Sequence, residues 1–169
     1  MGSRLSANFH VITGKIQAAK MIEESIKRAG LTLKNLVLEP IASSAAVLSE
    51  KEKEAGVVLV DIGGGTTDIA IFHKNVIRHS AVIPFGGQVI TNDIQHGCHI
   101  LEDQAEKLKT KFGVAISVDS TKHQVVSIPK VNGGQPRQIS VQTLSEIIKC
   151  RMGEIFELVD MEIRASGYH

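Results

Sequence analysis

The chain has 169 residues, room for about one domain of ordinary size. Hydrophobic residues make up 43% and charged residues 22%, a globular composition that excludes a chain disordered throughout. Nineteen Lys and Arg against eighteen Asp and Glu leave a net charge of +1, which argues against nucleic-acid binding by bulk charge.

Phe9-His10-Val11-Ile12-Thr13 reads as a short strand. Lys15 to Ala29 reads as a helix, because Ile16, Ala19, Ile22, Ile26 and Ala29 recur at steps of three and four. Thr13 is placed to cap its start and Gly30 its end. Leu36-Val37-Leu38 reads as a buried strand closed by Glu39-Pro40, Ala42 to Leu48 as a packed helix, and Glu50 to Glu54 as a charged connector. Val57 to Ile62 is a continuous apolar strand. After Gly63-Gly64-Gly65-Thr66-Thr67 turns the chain, Asp68 to His73 and Val76 to Phe85 offer two more. Gly86-Gly87 opens a helix to about Ile100, and a second, marked by Leu101, Ala105, Leu108 and Phe112, ends at Gly113. Val125 to Ile128 and Gln138 to Val141 are strand candidates around an Asn132-Gly133-Gly134 turn. From Leu144 a long helix carries Ile147, Ile148, Ile155, Leu158 and Val159 as its stripe. Strands alternating with helices define an α/β architecture.

Cys98 and Cys150 stand far apart without zinc spacing, so reduced thiols in a cytoplasmic protein are expected. Of the seven histidines only His96 and His99 lie close, and with no third ligand they read as surface residues. No run reaches the ~20 apolar residues that cross a bilayer, and the start lacks a secretory pattern.

The sharpest feature is the string from Val58 to Phe72, with Asp61, three glycines, two threonines and Asp68 between apolar strands. Three glycines exceed what a hairpin turn needs. They permit close approach of bare backbone, and successive N–H groups in such a turn make a nest for phosphate oxygens. Thr66 and Thr67 can add hydroxyl donors. Asp61, ending a buried strand, is placed to hold the water shell of Mg, which takes only one or two carboxylates. The string is neither a Walker loop nor a dinucleotide fingerprint, since no Gly-Lys-Ser/Thr follows and a strand, not a helix, succeeds the glycines. A plain tight hairpin with Asp61 and Asp68 as turn formers is the alternative.

That string resembles the second phosphate loop of the actin-like ATPase superfamily. Glu39-Pro40 with the small residues after it resembles the first connecting helix, and Phe85-Gly86-Gly87 with Thr91 and Asp93 resembles the segment after the third strand of the second domain. Phe9 to Thr13, Ala42-Ser43-Ser44, Arg78-His79, Val82-Ile83-Pro84, Ala105-Glu106 with Lys109 and Gly113, and Gln142 to Arg151 narrow the resemblance to the FtsA family of bacterial cell-division proteins.

The resemblance implies an actin-like (ribonuclease-H-like) α/β fold, incomplete in this chain. Residues 1–54 would be the end of domain 1, and 55–169 the start of domain 2 with a small α+β subdomain inserted at about 98–150. It implies ATP and Mg in the intact protein. Gly63, Gly64, Gly65 and Thr66 would line the phosphates, with Asp61 as the metal-side catalytic acid. Gly87 would approach the nucleotide, though a helix-start glycine reads equally well. Glu39 would position the attacking water; otherwise it is a turn acid before proline. Glu106 and Lys109 would hold ribose and adenine, or form a solvated i,i+3 ion pair. Arg137, Arg151 and Glu154 would bind the C-terminal tail of the tubulin-like GTPase FtsZ, since guanidinium forks suit a short acidic tail. Arg151 and Glu154 could equally pair with each other.

The implied function is a scaffold that binds ATP, is at most a weak ATPase, assembles into filaments and tethers the FtsZ ring at the inner face of the cytoplasmic membrane. The superfamily's first phosphate hairpin, its later adenine loop and the family's C-terminal membrane helix have no counterpart here. The chain is therefore expected to be an internal piece that binds ATP weakly or not at all. A rod-shape or pilus-assembly filament protein, or a chaperone-type ATPase, is the alternative. No nucleic-acid partner is expected.

Overall fold

The computed structural model describes residues 4–7, 9–116, 124–129 and 135–168. They form α1 (Ile16–Arg28), α2 (Glu39–Val47), α3 (Glu50–Ala55), β1 (Val57–Ile62), β2 (Thr67–His73), β3 (Val76–Ile83), α4 (Gly87–Cys98), α5 (Glu102–Phe112), β4 (Val125–Ile128), β5 (Arg137–Ser140) and α6 (Val141–Ala165). Strands β1, β2 and β3 make one sheet in that order; β4 and β5 make a two-stranded ribbon. The chain divides into two compact units, one of residues 1–59 and 69–80, the other of 60–68 and 81–169.

In the first unit, α1 forms where the three–four periodicity places it, but Lys15, not Thr13, is its N-cap, with no side-chain cap. Gly30 at φ +77° closes it: the Gly30 N–H donates to the Lys27 carbonyl and the Leu31 N–H to the Ile26 carbonyl. This is the paired 5→2 and 6→1 closure of a left-handed C-terminal glycine. The 50–54 segment is not a connector but helix α3. Ser49 and Glu52 form a reciprocal capping box there, with the Ser49 N–H donating to Glu52 Oε2 at 2.7 Å. Lys74 and Asn75, both at positive φ, make the tight β2–β3 turn. Their N–H groups donate to the Glu54 and Lys53 carbonyls at the end of α3, and Asn75 Nδ2 donates to Glu54 Oε2.

Two expected strands are absent. Residues 9–13 and 36–38 carry no strand structure, and Phe9, Val11, Leu36 and Val37 are exposed. An extended segment becomes a strand only beside another that takes up its N–H and C=O groups. The sheet of the described residues contains only β1, β2 and β3 in that part of the chain.

The second unit carries the larger core: Ile90, Ile94 and Cys98 from α4, Ala105 and Leu108 from α5, Ile139 from β5, and Leu144 and Ile148 from α6. Burial pushes the Cys98 thiol pKa up, so this thiol is packing and not a nucleophile. Strand β4 runs antiparallel to β5, with Val126 opposite Ile139. Ser140 caps α6 by accepting from the Gln142 N–H at 3.2 Å, so the helix begins three residues before the expected Leu144. The expected 132–134 turn lies outside the described residues.

Candidate functional site

The glycine hairpin belongs to the second unit and is built almost entirely from backbone. The Gly63 N–H donates to the Thr66 carbonyl at 2.8 Å, closing a turn between β1 and β2. None of the three glycines adopts a left-handed backbone, and a Cβ on Gly64 or Gly65 would meet nothing within 4 Å. Neither turn geometry nor internal packing therefore calls for glycine at 64 and 65. Both are exposed, and among the described residues their N–H groups have no acceptor. Exposed, bare backbone at two successive residues suits a surface that receives anionic oxygens.

The back of the hairpin is seated on the start of α4. The Gly87 N–H donates to the Gly63 carbonyl at 2.9 Å and the Gln88 N–H to the Gly64 carbonyl at 2.7 Å. Two of the orphan donors of a helix start are satisfied in this way. A Cβ on the buried Gly86 would stand 2.5 Å from Gly63 O and 2.8 Å from Gly64 O. Close approach to the hairpin backbone thus falls on Gly86, to which sequence reasoning gives no role of its own. The signal was the adjacency of the two glycines: a helix start explains one of them only.

The other expected site residues divide. Glu106 and Lys109 share a face of α5, with Lys109 Nζ 2.7 Å from Glu106 Oε2. Lys109 Nζ also donates to the Gly87 carbonyl at 2.9 Å and to Thr91 Oγ1 at 2.8 Å, so this pair stands beside the start of α4. The bond from Lys109, with a second from Thr91, holds the Glu106 carboxyl below the usual carboxylate range. Asp61 is half-buried near the end of β1. No group of three or more His, Cys, Asp or Glu able to hold a metal occurs among the described residues. A single carboxylate fits a largely water-coordinated Mg and not a closed metal cage. Of the two hydroxyls, Thr66 donates to Asp68 Oδ2 at 3.2 Å and remains exposed. Thr67 is wholly buried and donates to the Phe85 carbonyl at 2.8 Å, so its hydroxyl serves the fold and is no donor for a ligand. Glu39 begins α2, in the other unit.

Arg137 and Arg151 line different pockets. Arg137, exposed on β5, reaches the His99 carbonyl at 3.4 Å over a cleft formed with Ile100, Leu101, Gln104 and Ile128. Arg151 on α6 grips Asp93 of α4 with Nε and Nη2, at 2.6 and 3.0 Å, and pairs with Glu154 through Nη1. The Asp93 contact raises its pKa further. The Phe85 ring lies 6.0 Å from its guanidinium. Spacing alone gives Thr91 and Asp93 no role, because their partners lie 15 and 58 positions along the chain. His96 Nδ1 is 2.6 Å from the Asn92 carbonyl on its own helix.

The fold is that of the actin-like ATPases. MreB5 of Spiroplasma citri bound to ADP superimposes with a TM-score of 0.73 over 89% of this chain and 48% of that one, at 21% identity. The type IV pilus PilM–PilN complex gives 0.53 over 57% of this chain and 29% of that one, at 20% identity. Residues 58–166 match the family described as Cell division protein FtsA, and residues 17–78 match the Hsp70 protein family. Cell division protein FtsA of Pseudomonas aeruginosa is 44% identical over 99% of the chain, that of Escherichia coli K12 41% over 96%, and that of Bacillus subtilis 34% over 99%. The chain belongs to the FtsA family of cell-division proteins. It spans 40%, 39% and 38% of the length of those three relatives.

Proposed function

We propose that this chain is the nucleotide-facing and partner-facing middle of a cell-division scaffold that binds ATP and tethers the FtsZ ring to the membrane. In this reading residues 1–54 close the first actin-like domain, and 55–169 begin the second, with the small subdomain at about 98–150. The observation that carries it is the pair Gly64 and Gly65. Their bareness serves no need found within the chain, and both residues are exposed. Phosphate oxygens would accept from their N–H groups. Glu106, held beside Gly87, would face the ribose. Asp61 would hold Mg through water, and the metal would supply charge neutralisation at the phosphates. In this reading Glu39 would position the attacking water, and filament assembly and attachment to the inner membrane face would be activities of the whole scaffold.

For the FtsZ tail, Arg151 is the receptor, but its fork already holds Asp93 and Glu154. A tail carboxylate reaches the guanidinium by displacing Glu154, whose side chain is 49% exposed, more readily than Asp93 at 30%. Titration of the chain with an FtsZ tail peptide tests this. Saturable binding that weakens in Arg151→Ala and tightens in Glu154→Ala is expected. Binding by neither wild type nor Glu154→Ala, from folded protein, would remove the tail from this surface.

A further inference from the structure

Arg151 makes a third contact besides its two carboxylates. Its guanidinium lies 6.0 Å from the centroid of the Phe85 ring, within cation–π range. Phe85 is half-buried, and its main chain is fixed on the hairpin side. Its carbonyl accepts at 2.8 Å from the hydroxyl of Thr67, the wholly buried residue that opens β2 directly after the turn. The next residue is Gly86, which has no room for a methyl group beside the Gly63 and Gly64 carbonyls, and the N–H groups of Gly87 and Gln88 donate to those same two carbonyls. Asp93, which takes Arg151 Nε and Nη2, stands further along the same helix. Phe85 thus carries the guanidinium on its ring and the hairpin on its backbone. All of these groups belong to the second unit.

We infer that Phe85 is a positioning residue that couples the Arg151 fork to the glycine hairpin, so that an external carboxylate on the one and phosphate oxygens on the other weaken each other. The inference rests on the tail and nucleotide readings of these two places and adds the link between them. The element with two arrangements is the Arg151 side chain. Closed, it engages Asp93 and Glu154 and lies against the ring. Open, Glu154, the more exposed of the two carboxylates, gives way to an incoming one, and the guanidinium follows it off the ring. Gly86 has no slack, so Phe85 cannot resettle without moving the Gly63 and Gly64 carbonyls. A ligand that holds the hairpin in place resists that movement. By linkage the two affinities change by one common factor.

The test is an NMR titration of the chain with an FtsZ tail peptide, read at the backbone amides and at Arg151 Nε. Wild type is compared with Phe85→Leu, which keeps an apolar side chain and offers no π face. In wild type the Gly64 and Gly65 amides are expected to shift in step with Arg151 Nε. Saturating tail is expected to weaken ATP about threefold, the scale of one partly exposed cation–π contact, and saturating ATP to weaken the tail by the same factor. In Phe85→Leu the Nε signal is expected to titrate while the two glycines stay still and neither ligand alters the other's affinity. Glycines that stay still in wild type while Nε titrates, or that move equally in Phe85→Leu, would overturn the coupling and leave both binding readings intact. A folded wild type that binds no tail would overturn the tail reading, and Arg151→Lys, which retains the charge and loses the fork, then decides the coupling. It must shift the Gly64 and Gly65 amides in the wild-type background and leave them unmoved in Phe85→Leu, or the coupling falls. A wild type that shows no ATP contact would overturn the nucleotide reading alone, because the amide readout needs no nucleotide. If the amide spectrum shows that Phe85→Leu has lost the α4–α6 packing, Phe85→Met takes its place.

Discussion

Gly86 is the residue on which the hairpin rests. Its φ of −162° is extended and open to any amino acid, so the demand on it is steric and not conformational. A methyl group there would enter two backbone carbonyls, which cannot swing away as a flexible side chain would. Gly86→Ala must push the hairpin off α4 and break the bonds from the Gly87 and Gln88 N–H groups. A loss of about 1–3 kcal/mol, the usual cost of an overpacked core site, is expected in calorimetric unfolding. Gly65→Ala, with open space around it, should unfold at nearly the wild-type temperature. Equal losses for the two variants would remove the seat. The same contrast marks how far single residues were legible. The three glycines announced the hairpin, and the Glu106–Lys109 spacing announced a shared face. What held them was not legible, because Gly86, Thr91 and Asp93 act through partners brought near only by the packing of α4, α5 and α6.

At the scale of elements, strong local signals were legible and weak ones were misread for physical reasons. Strand β1 and helix α5 fall where apolar runs and a terminal glycine place them. Helix α3 was hidden because six residues rich in charge show no apolar stripe. Its signal was the Ser49–Glu52 spacing, which satisfies two orphan donors at the helix start. This helix carries a pH prediction. The hydrogen bonds from the Ser49 hydroxyl and N–H hold the Glu52 pKa below its ordinary value. A depressed carboxylate pKa contributes stability that is full above the unfolded value of about 4.3 and is lost as the pH falls through the lower folded value. Glu52→Gln keeps an acceptor but has no proton to take up. The difference in melting temperature between wild type and Glu52→Gln should be largest near neutral pH and shrink into acid. Parallel curves would show that the capping carboxylate contributes nothing titratable. The missing strands at 9–13 and 36–38 are the opposite case. Their composition suits strands, but backbone pairing depends on a neighbour that no local pattern supplies.

For the whole molecule, burial is unevenly shared between the two units. Every member of the main core cluster lies in the second, whereas α1 has no buried residue at all, with Ile16 at 74% and Met21 at 67% exposure. A helix of 13 residues without tertiary cover is marginal in water, because its nucleation cost is offset only by packing. Opening free energies therefore differ along the chain. In native-state hydrogen exchange of a dilute sample, the amides of α1 should exchange near the intrinsic rate, while those of α4 and the first half of α6 should be the slowest. The exposed apolar residues of the first unit, among them Phe9, Val11, Leu36, Val37 and Val47, are also a surface that seeks cover. If a second copy supplies that cover, protection in α1 rises with protein concentration in step with the mass measured by sedimentation. Strong protection of α1 in a particle that stays monomeric would show that the first unit is packed more tightly than its exposure indicates. Protection that ignores concentration while the mass increases would place self-association on the second unit instead.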